Sequence, residues 1–392
     1  MKSSSKEIAP ATRYNEFESI KLVAFDGPPG TGKTRKIVET ASTWGKIRGA
    51  VITYTNDAAA IIKQRAPDIP SGTIYSLTWP YVREYLKGTR PNTARSRQTY
   101  STRRIHHIFD PALEQYSQDA PSNKAPNRLD ELAKRLHAWS SLENGPPFNL
   151  DKENPMGQLK YLLPIARWLE DGAPMPDAER FDLLMIDESQ DMSWVELRAA
   201  LALVKPGGTV RAFGDPGQAI FGTAKGILGN ALPPVWIRAD NHMVLDKGYR
   251  VGDPVARTAA GVLRTYYNRP ASSFKADHTT QLLAWDFASA PLRGLVLGYS
   301  RRGVAKAFRD WGLTQTGIVP KVAQADRELV LSTGHAAKGA EADDVYLLPW
   351  SRIAMQRLET NDPATIRLLY VMLTRARRRV FLPRTLKARI QR

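Results

Sequence analysis

KLVAFDGPPGTGKTRKIVETASTW, residues 21–44, runs from an apolar stretch through a glycine-rich turn into a helix-like segment. KLVAF has the composition of a buried strand and TRKIVETASTW the pattern of a helix, so GPPGTGKT at 27–34 occupies a strand-to-helix junction. Gly27, Pro28, Pro29, Gly30, Thr31 and Gly32 place small or rigid residues where backbone N–H groups can wrap a chain of phosphates. Lys33 then reaches the outer phosphates, and the Thr34 hydroxyl can hold Mg2+. A chance glycine turn is the competing reading; the full pattern at this junction favours a nucleoside triphosphate site, without saying which triphosphatase.

Working outward, AVITY, DLLMID, TVRAFGD, GLVLGYS, ELVLST and DVYLLP repeat the theme of a short apolar run, most of them followed by a polar turn and a helix-like segment. Strands of that kind are buried on both faces, which predicts an α/β fold with parallel sheets. Residues 80–178 break the rhythm; YVREYL, LDELAKRLHAWSSL and LKYLLPIARWL predict a mostly helical insertion. Residues 1–18 read as a flexible polar tail.

Composition narrows the function classes. Lys and Arg number 56 against 39 Asp and Glu, and the formal charge of +17 attracts polyanions, nucleic acid first and an anionic membrane surface second. No stretch reaches the roughly 18 unbroken apolar residues of a membrane span, and the first residues lack the apolar middle of a signal peptide. The expected location is therefore cytoplasmic. The absence of cysteine excludes disulfides, thiolate metal sites and thiol nucleophiles.

In this basic chain LLMIDESQD, residues 183–191, stands out as an acidic knot behind an apolar run. A strand ending in Asp187 and Glu188 supplies one carboxylate for a magnesium shell and a second for a water beside the γ-phosphate. Solvated surface acids are the alternative, and the phosphate-binding loop upstream favours hydrolysis.

With AFGDPGQAIF at 212–221, DESQD resembles the UvrD/Rep/PcrA-like DNA helicases of superfamily one. LDKGYR at 245–250, STGHAAKGAEADDVYLL at 332–348 and RLLYVMLTRARRRV at 367–380 continue the resemblance in order, as do ITYTNDAA at 52–59 and GTIYS at 72–76 upstream. The resemblance implies two RecA-like P-loop domains with ATP and Mg2+ in the cleft between them. Residues 19–79 with 179–240 would form the first domain, 80–178 its insertion, and 241–392 the second. It further implies that Asp187 is the metal-side acid, Glu188 the general base and Gln218 the γ-phosphate sensor, with Arg250 and Arg375 reaching the same phosphate. Planar guanidinium groups suit that role, because they stabilise charge developing on a transferring phosphoryl group. Arg35 would lie near the nucleotide base and Glu341 near the ribose.

On the strand side the resemblance assigns Tyr54 to stacking, Thr55 and Asn56 to phosphate contacts, and Tyr75 and His335 to further contacts. Aromatic faces hold bases at about 1–3 kcal/mol each without reading sequence. A buried tyrosine in the α/β core is the competing reading for Tyr75, where the family usually has histidine.

Three departures matter. Thr223 stands where the family has a stacking tryptophan, which implies a looser grip; no glutamine precedes Gln64, so the family's adenine-reading glutamine is missing. Between Arg250 and Thr333 there is no room for the family's large second-domain insertion. Two basic stretches, 83–104 with Tyr85 and Tyr100 interleaved and the acid-free 367–392, offer a strand path or a solvated face; the end of the second reads as loose.

The reading is thus an ATP-dependent helicase or translocase moving 3′ to 5′ on single-stranded DNA. Its partners would be single-stranded DNA or tailed duplex, with replication or repair proteins and no membrane, in a bacterial or phage-infected cytosol. The alternatives are a translocase that strips proteins with little unwinding, a strand-binding module with a decayed ATPase, and a ring-forming ATPase. The last shares the loop and would lack GHAAKGAE and LLYVMLTRAR.

Overall fold

The computed structural model describes residues 17, 19–45, 47–54, 56–88, 165, 168–169, 172–220, 232–245, 248–264, 278–313 and 328–390. These fall into two compact units, one drawn from 17–24, 34–213 and 234–242, the other from 25–33, 214–233 and 243–390. Most of the expected helical insertion, the tail before Phe17, and Thr223 lie outside the described residues.

In the first sheet β1 (Lys21–Asp26), β2 (Gly49–Thr53), β3 (Ser71–Thr73), β4 (Phe181–Ile186), β5 (Val204–Gly214) and β6 (Asn241–Val244) run in the order β3-β2-β4-β5-β1-β6. β2 pairs in parallel with β3 and β4, and β4 with β5. The sequence dictates this: β2 is buried at every position and β4 at all but one, so neither has a face to offer water. Each buried Val, Leu, Ile or Met side chain contributes about 1.5–3 kcal/mol relative to exposure. Parallel pairing puts the carboxyl ends of β2, β3, β4 and β5 along one edge, where ligand-binding turns of open α/β sheets collect.

The second sheet orders β7 (Gln281–Trp285), β8 (Gly294–Gly298), β9 (Leu329–Thr333), β10 (Ala342–Leu347) and β11 (Ala376–Pro383) as β7-β11-β10-β8-β9, and all four pairings are parallel. Against it packs the helix Pro363–Leu373, buried from Thr365 to Leu373. Its first turn is capped by the Asp362 carboxylate, which accepts from the Thr365 N–H at 2.9 Å. Both sheets are thus parallel α/β layers, as the alternating pattern predicted, and consistent with the two RecA-like domains that the resemblance implied.

Four strands were not read from the sequence. β3 is short and polar, and β6 is short and exposed at every position. β7 has only Leu282 fully buried, and β11 hides under ARRRV. In β11 Ala376, Val380 and Leu382 are buried while the cations between them find acids on β10 or beside it: Arg377 Nε meets Asp343 at 2.8 Å and Arg379 grips Asp344 with Nε at 2.6 Å and Nη2 at 2.5 Å. Much of the acid-free stretch is thus paired across the sheet, and Arg367 is buried. The expectation of a loose end is corrected: Arg384–Ile390 is a helix with Leu386 buried and Lys387 Nζ donating to the Leu282 carbonyl at 3.2 Å.

Candidate active site

Gly27–Lys33 of the expected phosphate-binding loop belong to the second unit. Gly30 and Gly32 adopt φ of +82° and +75°, a left-handed backbone that other residues resist. Gly30 is also sterically required, since a Cβ there would stand 2.5 Å from the Arg250 Cβ. Tyr249 N–H donates to the Gly30 carbonyl at 3.0 Å, which anchors the backbone of GYR directly on the loop. Gly27 N–H donates to the Gly214 carbonyl at 2.9 Å, joining the loop to the end of β5. Lys33 is buried, and its Nζ donates to the carbonyls of Gly27 at 2.9 Å and Pro28 at 3.3 Å, so the ammonium is held inside the curl of the loop.

In the first unit Thr34 Oγ1 donates to Asp187 Oδ2 at 2.7 Å. A hydroxyl and a carboxylate side by side are the hard oxygen donors that Mg2+ prefers, so these two residues fit the implied ion. Asp187 is set by β4 and by its own N–H, which donates to the Ile52 carbonyl on β2 at 2.8 Å. Glu188 follows with φ of 53° and ψ of 38°, a left-handed conformation that costs a non-glycine residue of order 1 kcal/mol or more. That backbone turns the chain sharply from the strand into the short turn Ser189–Asp191. Ser189 Oγ pins this turn to the Phe213 carbonyl at 2.9 Å, and Gln190 Nε2 donates to Glu188 Oε2 at 2.5 Å. Gln190 was quoted in the motif and given no role; its spacing of two from Glu188, the expected base, was the available signal.

A buried polar centre lies in the second unit around Gln218. Its Nε2 donates to Asp215 Oδ2 at 3.0 Å and its Oε1 accepts from Arg375 Nη2 at 3.0 Å, which defines the orientation of the amide. Asp215 Oδ2 also accepts from the Tyr370 hydroxyl at 2.7 Å, and the Lys338 ammonium donates to the Gln218 carbonyl at 2.9 Å. Arg375 is 1% exposed and completes its fork on the carbonyls of Val371 at 3.0 Å and Ala340 at 3.2 Å. The expected pair Gln218 and Arg375 is thus in direct contact. Asp215, Tyr370 and Lys338 went unassigned in the sequence because only the fold brings their segments together. Arg250 Nε lies 2.5 Å from Glu341 Oε2, a charge pair without hydrogen-bond alignment, and Arg377 Nη1 lies 3.8 Å from the other oxygen of Glu341. Arg35, by contrast, is exposed and pairs with Glu39 at 2.6 Å.

The expected strand contacts are scattered in character. Tyr54 is half-buried at the end of β2, and Asn56 opens the helix Asn56–Arg65; Thr55 lies outside the described residues. Tyr75 is 6% exposed and donates to Glu196 Oε1 at 2.6 Å. Burial first, then the Glu196 carboxylate, pushes its phenol well above the usual range. His335 lies in the turn after β9, where partial burial of the ring lowers its pKa from the ordinary histidine value.

The sequence profile of the AAA_19 family, described as an AAA domain, matches residues 15–224. None of the curated proteins matches the chain. Among solved structures the chain is similar to the arterivirus nonstructural protein 10 helicase, at 15% identity and a TM-score of 0.43 over 93% of this chain and 60% of that one. The same protein in complex with DNA aligns at 16% identity and a TM-score of 0.43 over 95% and 63%. The helicase of PRRSV gives 14% identity and a TM-score of 0.42 over 94% and 54%. The chain thus spans between 54% and 63% of the length of these helicase structures. Among the described residues no helix is long and apolar enough to cross a membrane.

Proposed function

The chain belongs to the AAA_19 family of AAA domains, and from that membership and the two polar centres we propose that it is a nucleoside triphosphatase that drives movement along single-stranded nucleic acid. The observation that carries this reading is Asp187, held 2.7 Å from the Thr34 hydroxyl with Glu188 oriented beside it. ATP is the proposed substrate. Its phosphates lie along the loop 27–34, and Lys33 exchanges the Gly27 and Pro28 carbonyls for phosphate oxygens. Thr34 and Asp187 would hold Mg2+, which when bound neutralises charge on the phosphate oxygens.

Glu188 takes a proton from the attacking water as its oxygen bonds to the γ-phosphorus. The bond from that phosphorus to the β–γ bridging oxygen breaks, and ADP leaves with the electron pair. Gln218 reports the state of the γ-phosphate to Arg375 through their shared hydrogen bond, while Arg250 and Arg375 offset the charge that develops there. Tyr249, 57% exposed and anchored at Gly30, offers a ring against which the base can lie; Glu341 serves the ribose and Arg35 the base edge.

On the strand, Tyr54, Thr55, Asn56 and His335 supply the contacts, with the two RecA-like domains at 19–79 with 179–240 and at 241–392 alternating their grip. DNA is the proposed strand, and replication or repair factors the proposed partners. The test is ATP hydrolysis with and without single-stranded DNA, single-stranded RNA and duplex. Stimulation of tenfold or more by single-stranded DNA is expected, and indifference to all three would sink the reading. A translocase that displaces bound proteins and unwinds little is the second reading, favoured by Thr223 at the family's stacking position.

Movement is expected to run 3′ to 5′. The loop GPPGTGKT holds phosphates alike in either direction, whereas polarity depends on the strand-side segments, and these resemble the 3′-to-5′ branch of superfamily one. On partial duplexes with one tail, displacement should require a 3′ tail. Displacement from a 5′ tail alone would reverse the assignment.

A further inference from the structure

Tyr75 and Glu196 form a buried pair that the hydrolysis scheme does not use. Tyr75 is 6% exposed and Glu196 2% exposed, so neither side chain is presented to a strand passing outside. Their contact is the Tyr75 hydroxyl on Glu196 Oε1 at 2.6 Å. The other oxygen of Glu196 accepts from the Ser193 N–H at 2.7 Å and the Ser193 hydroxyl at 2.9 Å, closing a capping box at the start of the helix Trp194–Ala202. A buried carboxylate with three strong donors is a rigid fixture, because losing any donor leaves charge short of compensation in a low-dielectric interior.

Ser193 lies five residues beyond Glu188, and the residues between them are the turn Ser189–Asp191 and Met192. The acidic turn is therefore pinned at both ends, by Ile52 and Thr34 at Asp187 and by Glu196 at Ser193. Among the described residues a cavity is lined by Tyr54, Tyr75, Asp187, Met192 and Glu196, residues from both anchors. Tyr54 directly follows Thr53, the last residue of β2, and the Ile52 carbonyl on that strand holds the Asp187 N–H at 2.8 Å. One wall of the cavity is thus an expected strand contact and another is the metal-side acid.

We propose that Tyr75 is a positioning residue: through Glu196 and Ser193 it fixes the turn that carries Glu188, and it makes that turn respond to a strand gripped at Tyr54. It sets the rate of strand-stimulated hydrolysis and not the affinity for the strand. This rests on the triphosphatase reading above and replaces direct contact as the role of Tyr75. Coupling through packed side chains of this kind requires a measured link between the two ends.

The test uses the full chain and an oligo(dT) strand. Tyr75→Phe should lower kcat at saturating strand about tenfold, while KM for ATP and Kd for the strand stay within twofold. Glu196→Gln leaves one acceptor oxygen for Tyr75 and Ser193 together, so it breaks the same link and should also lower kcat, about threefold or more, with Kd for the strand within twofold. Tyr54→Ala should show the opposite split, a weaker Kd with the larger share of kcat kept. A Kd raised fivefold or more by Tyr75→Phe with kcat intact would make Tyr75 a direct contact and overturn the proposal, as would wild-type values throughout. Hydrogen exchange on the wild-type chain covers the case of a variant that does not fold: the strand should slow amide exchange at 188–193, and unchanged exchange there refutes the coupling. If the wild-type chain hydrolyses no ATP with any strand, the triphosphatase reading fails first, and that result is read before any variant is compared.

Discussion

Glu188→Gln should bind ATP as tightly as the wild type and hydrolyse it about 10^2- to 10^4-fold more slowly, the range that positioned general bases supply. The substitution is close to isosteric. Gln190 Nε2, which donates to Glu188 Oε2 at 2.5 Å, finds an equivalent acceptor in the carboxamide oxygen, so the left-handed turn keeps its support. Asp187 and Thr34 are untouched, so the donors assigned to Mg2+ remain. Only the capacity to take a proton from water is lost. Equilibrium titration with a fluorescent ATP analogue and single-turnover phosphate release measure the two halves separately. Hydrolysis within tenfold of wild type would remove Glu188 from the base role.

Arg375→Ala carries a double penalty. The guanidinium is 1% exposed and serves Val371, Ala340 and Gln218 at once, so truncation leaves three buried acceptors short of a donor and opens a cavity. A loss of stability of about 3–5 kcal/mol is expected. Turnover should fall about 10^3-fold or more, the scale on which arginines stabilise a transferring phosphoryl group. Arg375→Lys separates the two effects: it retains the charge and should recover part of the stability. It lacks the planar fork that spans Gln218 and the two carbonyls, so turnover should stay low. Thermal unfolding and single-turnover hydrolysis on both variants decide the matter. Wild-type melting together with wild-type turnover in Arg375→Ala would show that the buried fork does neither job.

The strands and turns of GPPGTGKT and LLMIDESQD were legible because their information is local: a buried strand and, at its end, a turn with few conformational options. Tyr75 was ambiguous in sequence because an aromatic residue after a strand serves a core as well as a surface. Burial and a carboxylate 121 positions away in the chain supply what its neighbours do not.

The sequence by itself determined the parallel α/β class, seven of the described strands, and the turns that follow β1 and β4, since continuous apolar runs and glycine at left-handed positions need no partner to be recognised. Only the tertiary structure decided which residues share a centre. Gln218 meets Arg375 and Asp215 meets Tyr370 across more than 150 residues, and the cations of ARRRV are matched to Asp343 and Asp344 by the parallel register of β10 and β11. The physical reason is the same in each case. A charged or polar side chain is placed by whatever satisfies it when water is excluded, and in this protein the satisfying groups come from distant segments that sheet topology brings side by side.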